Sequence, residues 1–528
     1  MRREEGTPSQ IANSAKLLAQ ADAEAGAGRQ DTAFVLYGRV LAAEPDNPGA
    51  LIGAARSLLA LRRLDDSAQA WQTALALMPD NPEVLFQCGV VRFRRGAIAE
   101  AIEFFDRALE IDDGLYGALG MKVLAHLYRG DSSDALWRAQ TAWAAQREPS
   151  PLIAHSRNGD DPDRRLRIGY LSSDFRAHSV GLNMLPVFRR LDRESFQIYA
   201  YAHVAHPDAA TKMFEDACDG WRSIVGLDDA EVAQAVIADG IDILVILAGH
   251  LDENRPFVAR CRPAPILVSH HDICTSALPE IDYFLGDPFV TPPGGKERFS
   301  ERVVRLPTFT VHSIPAEAAA PGPLPALSNG YIRFGSFNAP QKISDTCLAS
   351  WAAILSAVPN SRLLLKHFEA YSEAATRGRI FAGLSAYGVD PERVELLATA
   401  ELRSEHLRAY NRVDIALDPF PFSGATTTFE ALLMGVPVIS LIADRFVGRC
   451  SAATLAAAGL SVCVADNVDN YVGRAVELAS DLERLSTLRG ALRPMLTQSR
   501  VCDSDRYVRN LGRVYRAMWR RWCAIPRR

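Results

Sequence analysis

Over its first 150 residues the chain repeats itself with a period of 34. Pro45-Asp46-Asn47-Pro48 returns as Pro79-Asp80-Asn81-Pro82, and one period later stands Asp113. There the proline is gone, but the preceding pattern persists as VLAAEP, ALALMP and ALEIDD. Tyr37, Trp71 and Phe105 share one register, and Ala33, Ser67 and Ala101 share another. Gly89, Gly96 and Gly130 fall where two antiparallel helices must pass closely or turn. Such a period describes a helix–turn–helix unit that cannot bury its apolar face alone, so neighbouring units must stack. About three units fit between residues 15 and 147, with atypical ends as caps.

This pattern resembles the tetratricopeptide repeat and predicts an α solenoid. A solenoid has a concave groove, which suits a protein or peptide partner; the same stack can instead serve to dimerise or to pack on the next domain.

With 528 residues at roughly 100–200 per domain, about three domains are expected. Hydrophobic residues make up 48% and charged residues 23%, which excludes a disordered or collagen-like chain. A net charge of −5 argues against a protein that coats nucleic acid. The nine cysteines never occur as C-x-x-C, which fits a reducing compartment better than a disulfide framework or a zinc ribbon. The start, MRREEGTPSQ, has no apolar leader, and no run of about 18 apolar residues occurs anywhere. A cytoplasmic protein without a membrane span is expected.

After the polar stretch 156–165, short apolar runs alternate with helical patterns. Strands are expected at 166–171, 198–201 and 241–247, with a helix at 229–239. Following the Pro/Ala/Gly-rich segment 314–330, further strands are expected at 331–337, 361–366, 393–397, 413–417 and 437–442. Helices are expected at 343–357, 403–411, 426–435 and 449–459, and an amphipathic one at 505–524. This alternation indicates two consecutive open parallel sheets. The segmentation is therefore 1–150 for the repeats, 163–320 for a first α/β domain and 330–528 for a second. Ligands of such sheets lie beyond the carboxyl ends of strands, so the chemistry should come from the loops that follow them.

The strongest such loop is DPFPFSGATTTFEALLMGVPV, residues 418–438. A strand ends at Asp418, a turn with Pro and Gly424 follows, and Thr426, Thr427 and Thr428 open a helix. Backbone N–H groups and hydroxyls at a helix start suit a phosphate, and Glu430 suits ribose hydroxyls. On spacing alone the threonines equally serve as helix caps. In FNAPQKISD, residues 337–345, Lys342 sits where an ammonium neutralises a diphosphate; a solvated surface lysine is the plainer reading. His178, in SSDFRAHSVGLNM, follows the first strand, and His406 heads a helix where its ring can stack on a base. Either histidine can equally be structural. His270-His271-Asp272 on an extended segment point alternately to opposite faces, so no metal is expected there. In Asp503-Ser504-Asp505, a D-x-D before a helix, Asp505 is expected to be the helix cap.

Taken together, these residues resemble the O-linked N-acetylglucosamine transferases and, more closely, the plant SPINDLY proteins and their bacterial relatives. The likeness rests on the repeats followed by LRIGYLSSDFRAHSVG, RPAPI, FNAPQKISDTCLASWAAILSAVPNSRLLLK, the 393–442 block and YRAMWRRWC. It runs along nearly the whole chain and is densest from 331 to 460. The resemblance implies a GT-B fold of two Rossmann-like domains and inverting, metal-independent transfer from a nucleotide sugar to Ser/Thr of a protein. No cofactor is implied. Lys342 is implied at the donor diphosphate, His406 against the base, Gly424–Thr427 at the phosphates, Glu430 at the ribose and His178 near the reacting centre. The implied donor is UDP-N-acetylglucosamine, GDP-fucose as for SPINDLY, or a specialised sugar of the kind placed on flagellin.

Departures from the family pattern gather on the acceptor side. A G-Y-P-x-T-T-G loop is replaced by His271-Asp272-Ile273-Cys274-Thr275-Ser276-Ala277, and G-H-T becomes Gly249-His250-Leu251. His250 and His271 are therefore candidates for the acceptor or sugar pocket. Ala339 and Ala425 also depart, at the positions after F-N and Gly424. These changes keep open a second reading, a non-catalytic repeat protein whose cleft is a relic or a nucleotide sensor.

Overall fold

In the computed structural model the described residues are 8–146, 161–251, 253–368, 370–397 and 402–525. The expected N-terminal stretch 1–7 and the first part of the polar boundary, 156–160, lie outside them. The chain forms two compact units that cut across the three sequence segments. The smaller comprises Met1–Arg129, Phe337–Ala352 and Leu363–Ala400; the larger comprises Gly130–Ser336, Ala353–Arg362 and Glu401–Arg528.

The repeat region holds α1 (Pro8–Gly26), α2 (Gln30–Ala43), α3 (Pro48–Ala60), α4 (Leu64–Leu77), α5 (Pro82–Arg95), α6 (Ile98–Ile111), α7 (Tyr116–Arg129) and α8 (Ser133–Ala144). α1 packs on α2, α3 on α4 and α5 on α6, and α7 packs on α6. The Pro-Asp-Asn-Pro motif is a helix start. Asn47 Oδ1 accepts from Ala50 N at 3.0 Å and Asn81 Oδ1 from Val84 N at 3.1 Å, with Pro48 and Pro82 in the first turn. Asparagine satisfies a main-chain donor that the helix cannot, and proline there lacks only an N–H that has no partner. Tyr37, Trp71 and Phe105 are buried in successive layers. Gly89 is a close passage, since a Cβ would lie 2.5 Å from the Phe105 ring. Gly96 and Gly130 are turns, with φ of 83° and 77°.

The larger unit carries α8 and a seven-stranded parallel sheet in the order β3-β2-β1-β4-β5-β6-β7. Its strands are β1 (Leu166–Ser172), β2 (Phe196–Ala202), β3 (Gly220–Ser223), β4 (Ile243–Leu247), β5 (Ile266–His270), β6 (Tyr283–Gly286) and β7 (Arg302–Arg305). Strand order reverses between β1 and β4, which places a ligand cleft at their carboxyl ends. β3, β6 and β7 have no counterpart in the sequence reading. The same unit holds β8 (Arg333–Ser336), and after it β11 (Ile415–Leu417), β12 (Val438–Leu441) and β13 (Val464–Ala465), parallel in the order β8-β11-β12-β13. In the smaller unit β9 (Arg362–Lys366) pairs with β10 (Val394–Leu397), also in parallel.

The C-terminal helix Ser504–Cys523 was grouped by sequence with the second α/β segment, yet it packs on the first sheet. Tyr507, Leu511, Tyr515 and Trp519 join the core of β1, β2, β4 and β5, and the Tyr515 and Tyr170 hydroxyls lie 3.0 Å apart. Its cap is Asp503, which accepts from Arg506 N at 3.0 Å. The expected cap, Asp505, instead pairs with Arg190 at 2.7 Å. Among the described residues no helix is long and apolar enough to cross a membrane.

Asn81→Ala removes the α5 cap and should cost about 1 kcal/mol, read as a lower urea midpoint of the repeat region at unchanged m-value.

Candidate active site

The sequence-predicted site residues lie on loops that follow strands or on the helices those loops open, Glu430 and His406 within their helices. His178 follows β1 and is the residue before helix Ser179–Arg190, its backbone extended and its side chain not used as a cap. Its Nδ1 stands 3.2 Å from a carboxylate oxygen of Asp174, which is fully buried. Asn254 secures this corner. Its Oδ1 accepts from Ser172 Oγ at 2.9 Å and from Ser173 N at 2.7 Å, and its Nδ2 donates to Asp174 at 3.3 Å. Asp174 and Asn254 were not singled out from sequence; the alternation of SSDF offered the only signal.

His250 follows β4, and its imidazole is enclosed. Nδ1 lies 2.9 Å from Asp272 Oδ2, and the ring packs 4.3 Å from that of Trp143 of α8. Burial alone would lower the His250 pKa, but the Asp272 carboxylate and the neighbouring Cys274 outweigh it and raise the value well above the ordinary one. His250 is thus tied into a buried pair. The altered loop keeps its own anchor: Thr275 Oγ1 donates to Glu301 at 2.5 Å, and Ser276 N donates to it at 2.8 Å.

His271, the other candidate here, has φ of 57°, and its Nε2 is buried without a hydrogen-bond partner. Burial, then the proximity of His270 and His312, depresses its pKa well below the usual imidazole value. His270 is pushed down to about 4 by burial, and the Tyr507 hydroxyl lies 3.0 Å from its Nε2. His312, which the sequence reading missed, is also lowered to about 4 by burial and stacks on Phe429 at 4.4 Å. The segment is not extended at His271, and the rings of His270 and His271 pack 4.4 Å apart instead of pointing to opposite faces, while Asp272 pairs with His250. Among the described residues no group of three or more His, Cys, Asp or Glu is arranged to hold a metal ion.

The loop 418–425 follows β11. Asp418 is buried and accepts from Gly424 N at 2.8 Å and Ser440 Oγ at 2.7 Å. A Cβ at Gly424 would lie 2.6 Å from Thr427 Oγ1 and 2.8 Å from Asp418, so the close turn requires glycine. Helix Thr426–Leu433 then begins at Ala425 with no side-chain cap. The threonines are not caps. Thr428 Oγ1 lies 2.7 Å from Ser451 Oγ, and the Thr427 carbonyl accepts from Tyr410. Glu430, buried one turn on, takes His406 Nε2 at 3.1 Å, and Arg403 lies 3.9 Å from its other oxygen. His406 therefore arrives on helix Arg403–Ala409 already oriented.

Within the larger unit a cavity of about 220 Å³ is lined by Ser179, Asn183, Arg189, His312, Arg403 and Thr426. It brings helix Ser179–Arg190 and the uncapped helix start at Thr426 together. Lys342 belongs to the smaller unit and is half-buried on the turn Pro340–Lys342, which follows β8 in sequence.

Comparison with known proteins adds a family. The sequence model of Glycosyl transferase family 41 matches residues 149–313 and 324–511, and a tetratricopeptide repeat model matches 52–115. A protein of Solanum lycopersicum, named probable UDP-N-acetylglucosamine–peptide N-acetylglucosaminyltransferase SPINDLY, is 37% identical over 423 residues, covering 79% of this chain and 45% of its own length. The Arabidopsis thaliana protein named SEC, with the same probable activity, is 30% identical over 373 residues, 68% of this chain and 38% of its own. The chain spans about half the length of the curated relatives it matches. A solved structure, a lysine-to-methionine mutant of the O-GlcNAc transferase of Thermobaculum terrenum, superposes with a TM-score of 0.91 at 33% identity. That match covers 98% of this chain and 99% of the other, so the expected GT-B arrangement is the fold.

Because the folded pKa of His250 is raised, the stability it contributes is fully present below the unfolded value of about 6.5 and fades as pH rises through the folded value. Asp272→Asn should therefore lower stability by about 3 kcal/mol at pH 6, with the gap to wild type narrowing in alkaline buffer. Paired urea titrations at pH 6 and 9 measure this; a gap independent of pH contradicts a charged His250.

Proposed function

Since the chain belongs to glycosyl transferase family 41, we propose that it moves a sugar from a nucleoside diphosphate to Ser or Thr of a protein, with inversion and without a metal ion. The observation that carries this reading is the helix start at Thr426, shaped by Asp418 and Gly424 and left without a side-chain cap. Its main-chain dipoles amount to roughly half a positive charge aimed at whatever lies in front of it. Donors that hold their orientation before the reaction stabilise departing negative charge without reorganisation.

In this reading the helix start and the Thr426 and Thr427 hydroxyls hold the diphosphate, and Lys342 supplies the neutralising ammonium that a divalent ion supplies elsewhere. His406 rests against the base. Glu430, already within reach of His406 and Arg403, accepts from the ribose. The acceptor oxygen bonds to the anomeric carbon as the bond to the diphosphate breaks on the opposite face. His178 stands near the reacting centre, held beside Asp174, and accepts the hydroxyl proton. Strong leaving-group stabilisation lessens the basic help required. His250 and His271 shape the acceptor-side wall, His250 through its bond to Asp272.

The favoured donor is UDP-N-acetylglucosamine, the sugar nucleotide in the names of the relatives. GDP-fucose and other sugar nucleotides are the alternatives. The repeats are proposed to present a polypeptide acceptor along their groove.

Incubating purified protein and cell lysate with radiolabelled nucleotide sugars, in EDTA, tests the reading. Wild type should label protein from one donor, and Lys342→Ala should label it about 10²–10³-fold more slowly. Label that requires added divalent ion contradicts the metal-free mechanism. Nucleotide binding without label from any donor identifies an interaction protein instead.

A further inference from the structure

The turn that carries Lys342 is held from outside by a guanidinium fork. Arg379, on helix Ala374–Ser385, donates from Nη2 to the Pro340 carbonyl at 2.7 Å and from Nη1 to the Ile343 carbonyl at 3.0 Å. These carbonyls lie on either side of Lys342, whose own N–H bonds to Ala339 O at 3.0 Å. The third donor, Nε, reaches the carbonyl of Arg95, the last residue of α5, at 3.0 Å. All three bonds thus go to main-chain oxygens of two separate segments. Only a guanidinium presents so many donors in a rigid plane; an ammonium on the same stem cannot reproduce the fork.

The repeats press on this turn directly. Gly96, just past the end of α5, has φ of 83°, and a Cβ there would lie 2.5 Å from Arg379 Nη2 and 2.9 Å from the Pro340 carbonyl. The helix bearing Arg379 is itself fixed to α4 by exchanged caps. Glu373 accepts from Leu64 N at 3.1 Å and from Asp65 N, and Asp65 accepts from Ala374 N at 2.6 Å. Every residue in this chain of contacts lies in the smaller unit.

We propose that Arg379 is the positioning residue for Lys342, holding the donor-binding ammonium in register with the end of the third repeat pair. It touches neither donor nor acceptor. A displacement of α5, such as a bound polypeptide produces, passes through Gly96 and Arg379 to the backbone on both sides of Lys342. The proposal rests on the reading that Lys342 meets the donor diphosphate. A misplacement of this kind is costly because a charge–phosphate contact depends steeply on geometry.

Calorimetric titration of the full chain with UDP and UMP, and with GDP and GMP, isolates the contact, because the ratio of diphosphate to monophosphate affinity reports Lys342. Lys342→Ala should abolish that preference. Arg379→Lys should reduce it about tenfold, with monophosphate affinity unchanged, and adding it to Lys342→Ala should cost nothing more. Gly96→Ala, which pushes a methyl into the same fork from the repeat side, should act likewise and serves if Arg379→Lys does not fold. A lowered melting temperature with the full preference retained in the Arg379 and Gly96 variants overturns the positioning role while leaving Lys342 in place. An unchanged preference in Lys342→Ala overturns the reading of the site, and the inference with it.

Discussion

One buried carboxylate sets the shape of the loop that follows β11. Asp418, at the end of β11, accepts from Gly424 N and Ser440 Oγ, while its carbonyl accepts from Tyr471 at 2.9 Å. These bonds close the loop tightly enough that only glycine fits at 424. They also start the next helix at an alanine with nothing to cap it. A helix start capped by its own threonine would have one fewer main-chain donor to offer a phosphate. Here Thr428 turns toward Ser451 in the core, while Thr427 Oγ1 stays beside Gly424.

The same device recurs around the site. Asp174 steadies His178, Asp272 steadies His250, and Glu301 ties down the altered loop at Thr275 and Ser276. Each is a buried acid bonded to an imidazole, a hydroxyl or a main-chain N–H, so each is satisfied, and each fixes a group that projects toward a strand end. Replacing G-Y-P-x-T-T-G by His271–Ala277 therefore changes the chemistry of the wall without loosening it. Three neighbouring histidines, 270, 271 and 312, are held neutral by burial.

Much of this was legible in the residues. The 34-residue period announced helix pairs because identical caps must recur wherever identical helices start. The strands at 166–171 and 241–247 were legible because buried parallel strands are uninterrupted apolar runs. β3 (GWRS) and β7 (RVVR) escaped because four residues, half of them polar, are too few to carry a periodic signal. Spacing left the threonines between cap and ligand, because the two differ only in the backbone angles of Ala425. Asp503 and Asp505 are equally good caps by composition, and the pairing of Asp505 with Arg190, distant in sequence, settles which one serves. His312 and Asp272 gain meaning only from partners brought close by the fold, Phe429 and His250.

Hydrogen exchange tests the central claim most directly. With EDTA present, a saturating nucleoside diphosphate should slow exchange of the main-chain amides from Gly424 to Phe429 and leave the C-terminal turn of the same helix unaffected. Protection confined to other segments, or protection of this one only when a divalent ion is supplied, would contradict an uncapped helix start that grips the departing nucleotide by itself.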